Sequence, residues 1–153
     1  NNILQVIQKY VQSERKSCEA GGILIGRENC GNSNLIIEFI TEPMTADQRS
    51  RNRFLRKDKR HLDFFKKLYE ENEGVYGYMG EWHTHPENIP QYSFIDSNNW
   101  KKIGKEMKGG IQYHIIAGIQ EVGIWEYNAV QKRITKICSI DWKGILKENE
   151  TII

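Results

Sequence analysis

The sequence has no apolar run of the roughly 20 residues that a membrane-spanning helix needs. Residues 1–12 are amphipathic and lack the apolar core and cleavage site of a signal peptide. Charge of one sign is not in large excess, because 22 basic and 20 acidic residues leave a formal net charge of +2. The overall field therefore gives no reason to expect nucleic acid binding. We expect a cytoplasmic protein with neither a membrane nor a nucleic acid as partner.

Cysteine is scarce, with three residues at scattered positions, Cys18, Cys30 and Cys138, and no CxxC pair. This pattern argues against a disulfide framework and against a zinc site built from cysteine. We interpret Cys18 as a small, half-buried side chain, with a reactive thiol as the alternative.

No repeat, low-complexity tract or internal linker divides the chain. Its 153 residues suffice for one domain with a sizeable core, and 39% hydrophobic with 27% charged residues is typical of a globular protein. We therefore expect a single domain over residues 1–153.

Hydrophobic periodicity predicts an alternation of helices and strands. The predicted helices cover residues 3–13, 58–72 and 93–108. The predicted strands cover residues 20–27, 34–41, 75–85, 111–119, 122–129 and 133–140. The first two strands, joined through a Gly31-Asn32 turn, can pair antiparallel, and the last three form a meander. This order predicts an α/β mixed sandwich with a central, mostly antiparallel, curved sheet flanked by helices.

The stretch GEWHTHPENIPQYSFID, from Gly80 to Asp96, contains a candidate metal site. Residues two apart on a strand share a face, so His83 and His85 project together from the end of one strand. Pro86 ends that strand, and a helix beginning at Ser93 places Asp96 in its first turn. Two histidines and one aspartate leave a fourth tetrahedral position for water, as in catalytic zinc sites.

Each part of this pattern also has an ordinary structural interpretation. Histidine pairs on strands are often structural, and SFID is a common helix-capping pattern with serine at the cap and an acid three residues on. Only the conjunction of the parts favours a metal site.

The full pattern resembles the signature of the JAMM (MPN+) metalloprotease family, which reads His-x-His, seven residues, Ser, two residues, Asp. The segment CEAGGILIG resembles the part of that family which carries its upstream glutamate, here Glu19, before a strand rich in small residues. The resemblance extends from about Glu19 to Trp125. The sequence GEWHTHP is most similar to that of the bacterial JAB branch. This branch includes deconjugating enzymes encoded beside ubiquitin-like transfer machinery, as in CBASS anti-phage operons.

This resemblance implies a cytidine-deaminase-like JAB/MPN fold and one Zn²⁺ per chain. It implies that His83, His85 and Asp96 bind the zinc, that Glu19 is the general base and acid, and that Ser93 donates to the oxyanion. The implied activity is that of an isopeptidase or peptidase that cleaves after the C-terminal residue of a ubiquitin-like modifier. Its partner would be that modifier's C-terminal tail, conjugated to a target protein.

Other histidines and acids are expected to have lesser roles. Glu81 lies two residues before His83, so it either lines the site or orients a ligand, or it is an exposed or salt-bridged acid. We expect Glu87 to be a loop acid and His114 to be a core residue. His61 is expected to face water.

The segment from Arg49 to Arg60 holds seven basic residues in twelve. If it is extended, Arg49, Arg51 and Arg53 line one side and Phe54 lies on the other. It is either a solvated loop or a docking edge for an extended peptide tail. Nucleic acid binding is a weaker third interpretation, because acidic residues elsewhere balance the cluster and no recognition motif accompanies it. On the docking interpretation we expect Arg53, Phe54, Arg56 and Glu81 to contact substrate.

Two other functions remain open from sequence. One is a non-catalytic MPN scaffold module, and the other is a metal-dependent hydrolase of small peptides or amino-acid adducts. The sequence identifies neither the modifier nor the target, does not distinguish an isopeptide from a linear peptide bond, and leaves the oligomeric state open.

Overall fold

The computed structural model describes residues 2–29, 31 and 34–145. Its elements follow the predicted order, with two short strands in the basic segment that were not predicted. The helices are α1 (Asn2–Gln8), α2 (Arg60–Glu71) and α3 (Phe94–Glu106). The strands are β1 (Gly21–Glu28), β2 (Leu35–Ile40), β3 (Gln48–Ser50), β4 (Arg53–Leu55), β5 (Gly77–Thr84), β6 (Ile111–Ala117), β7 (Glu121–Asn128) and β8 (Arg133–Asp141). None of the described helices is long and apolar enough to span a bilayer.

Six of the strands form one sheet in the order β2-β1-β5-β6-β7-β8. Neighbouring strands run antiparallel except β5 and β6, which are parallel and are joined through α3. This confirms the predicted α/β class, the β1–β2 pair and the β6–β7–β8 meander. It also places the carboxyl end of β5, with the two histidines, in the middle of the sheet.

Buried side chains form two groups, to which α1 and α3 contribute separately. The group with α1 is built around Leu24, Trp82 and Ile115. The group with α3 contains Trp100, Ile116, Trp125 and Tyr127. The second group fixes α3 beside β6 and β7, and the amino end of this helix carries part of the candidate site.

Two predicted details are wrong, and a third lies outside the described residues. The first helix ends at Gln8, five residues earlier than predicted, although Tyr10 and Val11 still pack against the core. Cys18 is exposed rather than half-buried. Cys30 and the Asn32 part of the predicted turn lie outside the described residues.

The basic segment is a hairpin, so the prediction that Arg49, Arg51 and Arg53 line one side is wrong. Strands β3 and β4 pair antiparallel, with Ser50 opposite Arg53. The chain reverses at residues 51 and 52, and Arg49 pairs with Phe54. Paired residues share a face, so Arg49 and Arg53 lie on opposite faces of the hairpin.

The histidines outside the metal motif are both buried. His114 is a core residue, as expected, and its ring stacks on Trp100 at 4.4 Å between centroids. The expectation that His61 faces water is wrong, because its side chain is fully buried and contacts Asp47 and Thr41. His61 can be buried within a polar stretch of sequence because the buried carboxylate of Asp47 pairs with its ring.

A β-bulge in β5 sets which of its side chains lie on the same face of the sheet. Leu24 pairs with Gly80, but the next residue, Ile25, pairs with Tyr78, so the register of β5 shifts by one residue. Because of this shift, Tyr78 and Glu81 share a face, and the Tyr78 hydroxyl donates to Glu81 over 3.1 Å. Gly80 has a φ of 147°, which side-chain-bearing residues rarely adopt.

Gly80→Ala is expected to destabilise the fold by about 3 kcal/mol, because a Cβ would meet the Tyr113 carbonyl oxygen on a strained backbone. Denaturant titration measures this change. The matched control is Gly144→Ala, where a Cβ meets no atom within 4 Å. We expect that control to shift the free energy of unfolding by less than about 1 kcal/mol. Equal effects of the two substitutions would contradict the role assigned to the bulge.

Candidate metal and catalytic centre

Two imidazoles meet at the end of β5. The Nε2 atoms of His83 and His85 lie 3.0 Å apart. Both side chains are nearly buried, with 13% and 9% of their surface exposed. The backbone N–H of His85 donates to the carbonyl of Ala117 on β6, which fixes the chain at this point. The strand alternation predicted from sequence therefore produces a shared face.

Asp96 reaches this pair from the first turn of α3. Its carboxylate oxygens lie 3.2 Å from Nε2 of His83 and 3.4 Å from Nε2 of His85. The same residue also completes a capping box, because it accepts from the backbone N–H of Ser93 and donates its own N–H to Ser93 Oγ. The capping and metal interpretations of SFID are therefore compatible, since the cap aims the carboxylate at the histidines.

The donor set fits a tetrahedral zinc ion. Zinc bonds to nitrogen and oxygen of about 2.0–2.1 Å imply ligand atoms about 3.3–3.4 Å apart in a tetrahedron. The observed separations of 3.0, 3.2 and 3.4 Å are close to that spacing. In the described part of the chain, these three residues form a cluster whose ligand atoms lie within 4.8 Å of one another.

The electrostatics of the centre favour a cation. Burial alone would raise the pKa of Asp96, but hydrogen bonds from His83 and His85 hold it well below its usual value. Burial alone would lower the pKa of His85, yet the hydrogen bond to Asp96 and the nearby carboxylates of Glu19 and Glu87 raise it. Acidic groups thus stabilise positive charge where the imidazoles meet.

Glu19 lies beside this cluster without joining it. It precedes β1, in which Gly21 pairs with His83, so strand pairing brings the glutamate next to the histidines. The residue is 5% exposed. Burial raises the pKa of its carboxyl, while His83 and His85 oppose that shift. A carboxylate that is partly desolvated beside a metal site is well suited to accept and return a proton.

Neighbouring backbone groups hold Glu19 in place. Its N–H donates to the carbonyl of Ser50 over 2.8 Å, and its own carbonyl accepts from Nε of Arg49 over 2.7 Å. This contact of Arg49 was not predicted, because nothing local in the sequence links a hairpin arginine to a main-chain carbonyl about 30 residues away.

A cleft of about 400 Å³ contains the centre, and Glu19, Ser93 and all three candidate ligands line it. The hairpin forms one wall with Arg53, Phe54 and Arg56. Helix α3 forms the opposite wall with Ile95, Asn99 and Trp100. The lining residues extend from Asn52 at the hairpin turn, past the two histidines, to Glu106 at the end of α3.

A polar network lies between these walls. Glu81 accepts from Nε of Arg56 over 2.8 Å and from Nδ2 of Asn99 over 3.1 Å. Burial and the charge of Glu81 raise the pKa of Tyr78, which keeps its hydroxyl proton in the same network. Glu81 therefore both lines the cleft and forms a salt bridge, which are the two alternatives left by the sequence.

The basic residues of the hairpin are largely engaged within the chain. Arg51 donates to the carbonyls of Glu14 and Arg15, and Arg60 pairs with Asp58. Arg49 and Arg56 are occupied as described above. Among the described residues, Arg53 has no ion pair and lies in the cleft, so it is the hairpin arginine best placed to meet a ligand.

Glu87 was expected to be an ordinary loop acid. Its carboxylate lies 3.7 Å from Nδ1 of His85, on the side of the ring away from Asp96, and also accepts from the N–H of Gln91. A carboxylate at this position favours the His85 tautomer whose Nε2 is free to bind a metal. The adjacency to His85 in sequence is the signal that could have indicated this.

Comparison with known proteins gives consistent matches. A family model described as prokaryotic homologues of the JAB domain matches residues 4–130. Three curated proteins named CD-NTase/cGAS isopeptidase are similar over 100 to 105 residues. The protein from Escherichia coli (strain TW11681) is 37% identical over 65% of this chain and 63% of its own length. The protein from Pseudomonas aeruginosa (strain BWHPSA011 / Pa011) is 31% identical over 69% of this chain and 65% of its own.

The third protein, from Vibrio cholerae serotype O1, is 32% identical over 66% of this chain and 64% of its own length. The chain thus aligns with slightly less than two thirds of each relative. A solution structure from Desulfitobacterium hafniense has a TM-score of 0.57 and 16% identity, covering 88% of this chain and 84% of that one. This last similarity concerns the fold alone.

Proposed function

The chain belongs to the family of prokaryotic JAB-domain homologues, and from that premise we propose that it is a zinc-dependent isopeptidase. It hydrolyses the amide bond after the C-terminal residue of a ubiquitin-like modifier, either to release a conjugated target or to process a modifier precursor. The observation that carries this is the convergence of His83, His85 and Asp96 at zinc-ligand spacing with Glu19 beside them.

The name that the three relatives share suggests a target class. If the activity is shared, the conjugated protein is a CD-NTase or cGAS-like nucleotidyltransferase, and the pathway is a cytoplasmic, CBASS-type anti-phage conjugation system. We propose that residues 1–153 act as one JAB/MPN+ domain. Neither nucleic acid nor a membrane is required by this function.

His83, His85 and Asp96 would hold one zinc ion per chain. When bound, zinc supplies a Lewis acid and a water of pKa about 7. The capping box at α3 orients Asp96 in advance, which lowers the cost of assembling the site.

Glu19 would move the proton. Its carboxylate takes one proton from the attacking water as the oxygen–carbon bond forms, and returns it to the amine nitrogen as the carbon–nitrogen bond breaks. The products are a carboxyl group on the modifier, which loses the remaining water proton to solvent, and a free amine on the target. The partly desolvated position of Glu19 favours both transfers.

Ser93 would stabilise the oxyanion. Its Oγ accepts the Asp96 N–H, so the hydroxyl proton stays available to a substrate oxygen in the cleft. The positive end of α3 acts in the same direction.

Ser93→Ala is expected to lower kcat by about 10²–10³-fold, because one oxyanion donor is lost. It is also expected to lower stability by about 1 kcal/mol, because Ser93 caps α3. Ser93→Thr keeps both hydroxyl functions and serves as the control in a conjugate-cleavage assay. A Ser93→Ala enzyme that is less stable but within threefold of the original kcat would refute the oxyanion role.

The substrate tail would lie in the cleft as an extended strand beside β4. Main-chain pairing to a strand edge supplies affinity, and Arg53, Phe54, Arg56 and Glu81 would contact the tail. Arg53 would favour acidic groups on the modifier, since it lines the cleft and forms no ion pair with another described residue.

Conjugate cleavage by zinc-loaded and chelator-treated protein tests the proposed function. Loss of cleavage with the chelator and recovery with zinc are expected. Protein that binds no zinc and cleaves no conjugate would instead favour a non-catalytic scaffold module. Faster turnover of short peptides or amino-acid adducts than of folded conjugates would favour a small-molecule hydrolase.

A further inference from the structure

Three buried side chains form a continuous hydrogen-bonded chain next to the hairpin. Nε2 of His61 lies 2.7 Å from Oδ2 of Asp47, and Nδ1 of His61 contacts Oγ1 of Thr41. The side chains of His61 and Asp47 have no exposed surface. Thr41 follows β2 and is 4% exposed. These hydrogen bonds therefore connect the sheet, α2 and the loop before β3.

One arrangement of protons satisfies all three groups. Oγ1 of Thr41 accepts the N–H of Ile23 over 2.9 Å, so its own proton can be donated to Nδ1 of His61. Nε2–H of His61 then donates to the carboxylate of Asp47. This connectivity is that of a nucleophile–histidine–acid triad, but the core encloses the hydroxyl and no substrate can reach it. Its role must therefore be to hold structure.

Asp47 forms hydrogen bonds to the segments on both sides of the hairpin. Oδ1 accepts the N–H groups of Lys57 and Asp58 over 2.8 and 2.9 Å, and Oδ2 accepts the N–H of Met44 over 2.8 Å. Burial alone would raise the pKa of Asp47, but these N–H groups and His61 hold it below its usual value. One carboxylate thus ties the segments before β3 and after β4 to each other.

The hairpin is anchored at its far end by different contacts. Gln12 donates to the carbonyl of Arg51, and the Arg51 guanidinium donates to the loop carbonyls of Glu14 and Arg15. The Ser50 carbonyl accepts from Glu19. Removal of His61 would therefore loosen the base of the hairpin while the contacts that hold Glu19 remain.

We propose that His61 is a positioning residue which, through Asp47, fixes the base of the β3–β4 hairpin and thereby sets the width of the cleft between β4 and α3. The anchoring follows from the contacts above, and its effect on substrate rests on the proposed function. Binding of an extended tail would then require no prior ordering of β4, so the network lowers KM more than it raises kcat.

Two readouts on His61→Phe test this role. Phenylalanine fills the space but leaves Asp47 and Thr41 without their shared partner. We expect KM for a tailed conjugate to rise about tenfold with kcat within threefold. Amide hydrogen exchange at the base of the hairpin, at Lys57 and Asp58, should quicken at least tenfold. His61→Gln, whose amide can donate to Asp47, should recover most of both. If His61→Phe does not fold, Asp47→Asn is expected to show the same two changes in smaller degree.

The matched control separates anchoring from general destabilisation. Trp142→Phe removes a hydrogen bond to the Gly118 carbonyl and core volume at a site away from the hairpin. The two variants are compared at temperatures at which their global stability is equal. The control should then retain slow amide exchange at Lys57 and Asp58. Equal exchange in the two variants, or a wild-type KM in His61→Phe, would overturn the positioning role. If the unmodified protein cleaves no conjugate, the proposed function fails, while the exchange comparison still decides whether His61 anchors the hairpin.

Discussion

Glu19→Gln is expected to lower kcat for conjugate cleavage by about 10²–10⁴-fold, the usual contribution of a positioned proton-transfer group. The amide keeps the size and hydrogen-bonding reach of the side chain but cannot accept the proton of water. Zinc content should stay the same, because Glu19 lies outside the cluster of candidate ligands. Parallel measurement of kcat and of bound zinc checks both statements.

Glu14→Gln is the control for this substitution, since Glu14 is an exposed acid in the loop that leads to Glu19. It should have wild-type kcat. A Glu19→Gln protein that retains zinc and cleaves within tenfold of the original rate would assign the proton transfer to another group. Loss of zinc in Glu19→Gln would instead make the glutamate a ligand.

Asp96→Asn is expected to weaken zinc binding by more than about 100-fold and to abolish turnover. Substitution of a group that only supports a metal ligand typically lowers metal affinity by about 10–100-fold. Here the ligand itself loses its charge, so the loss of affinity should be larger. The asparagine oxygen can still accept the Ser93 N–H, so α3 should keep its cap and the fold should survive. Zinc titration with a competing chelator measures the affinity, and circular dichroism verifies the helix.

Asp63→Asn provides the matched control, because Asp63 is also an acid in the first turn of a helix, α2, and is exposed. It should bind zinc as the unmodified protein does. Undiminished zinc affinity in Asp96→Asn would exclude Asp96 from the ligand set and leave the two histidines without their third partner.

The parts of the centre that depend on local rules could be predicted from sequence. Strand alternation places His83 and His85 on one face, and a helix cap places Asp96 in a first turn. Glu19 required the family resemblance, because its proximity depends on the pairing of Gly21 with His83, far away in the chain. No local rule indicates which distant strand will be the neighbour.

The hairpin could not be predicted for a similar reason. Its reversal at Arg51 and Asn52 lacks the glycine that usually marks a two-residue turn. Long-range contacts stabilise it instead, including those of Arg49 with the Glu19 carbonyl and of Asp47 with both flanks. Most of the arginines that suggested a docking surface therefore donate hydrogen bonds within the protein. His61, which follows this basic segment, is a core residue for the same reason.

The predicted first helix illustrates a further limit. Apolar residues recur at helical spacing to Val11, yet α1 ends at Gln8. Tyr10 packs at 5.7 Å from Trp82 between ring centroids, and Val11 also packs against the core. A turn can bury the same side chains that a continued helix would bury, so periodicity alone does not locate the end.

An anomalous-difference X-ray map from crystals of the zinc-loaded protein tests the central claim most directly. The account predicts one zinc peak per chain, bonded to Nε2 of His83, Nε2 of His85 and a carboxylate oxygen of Asp96, with Glu19 close by but not bonded. A peak elsewhere, or Glu19 in place of Asp96 among the ligands, would contradict it.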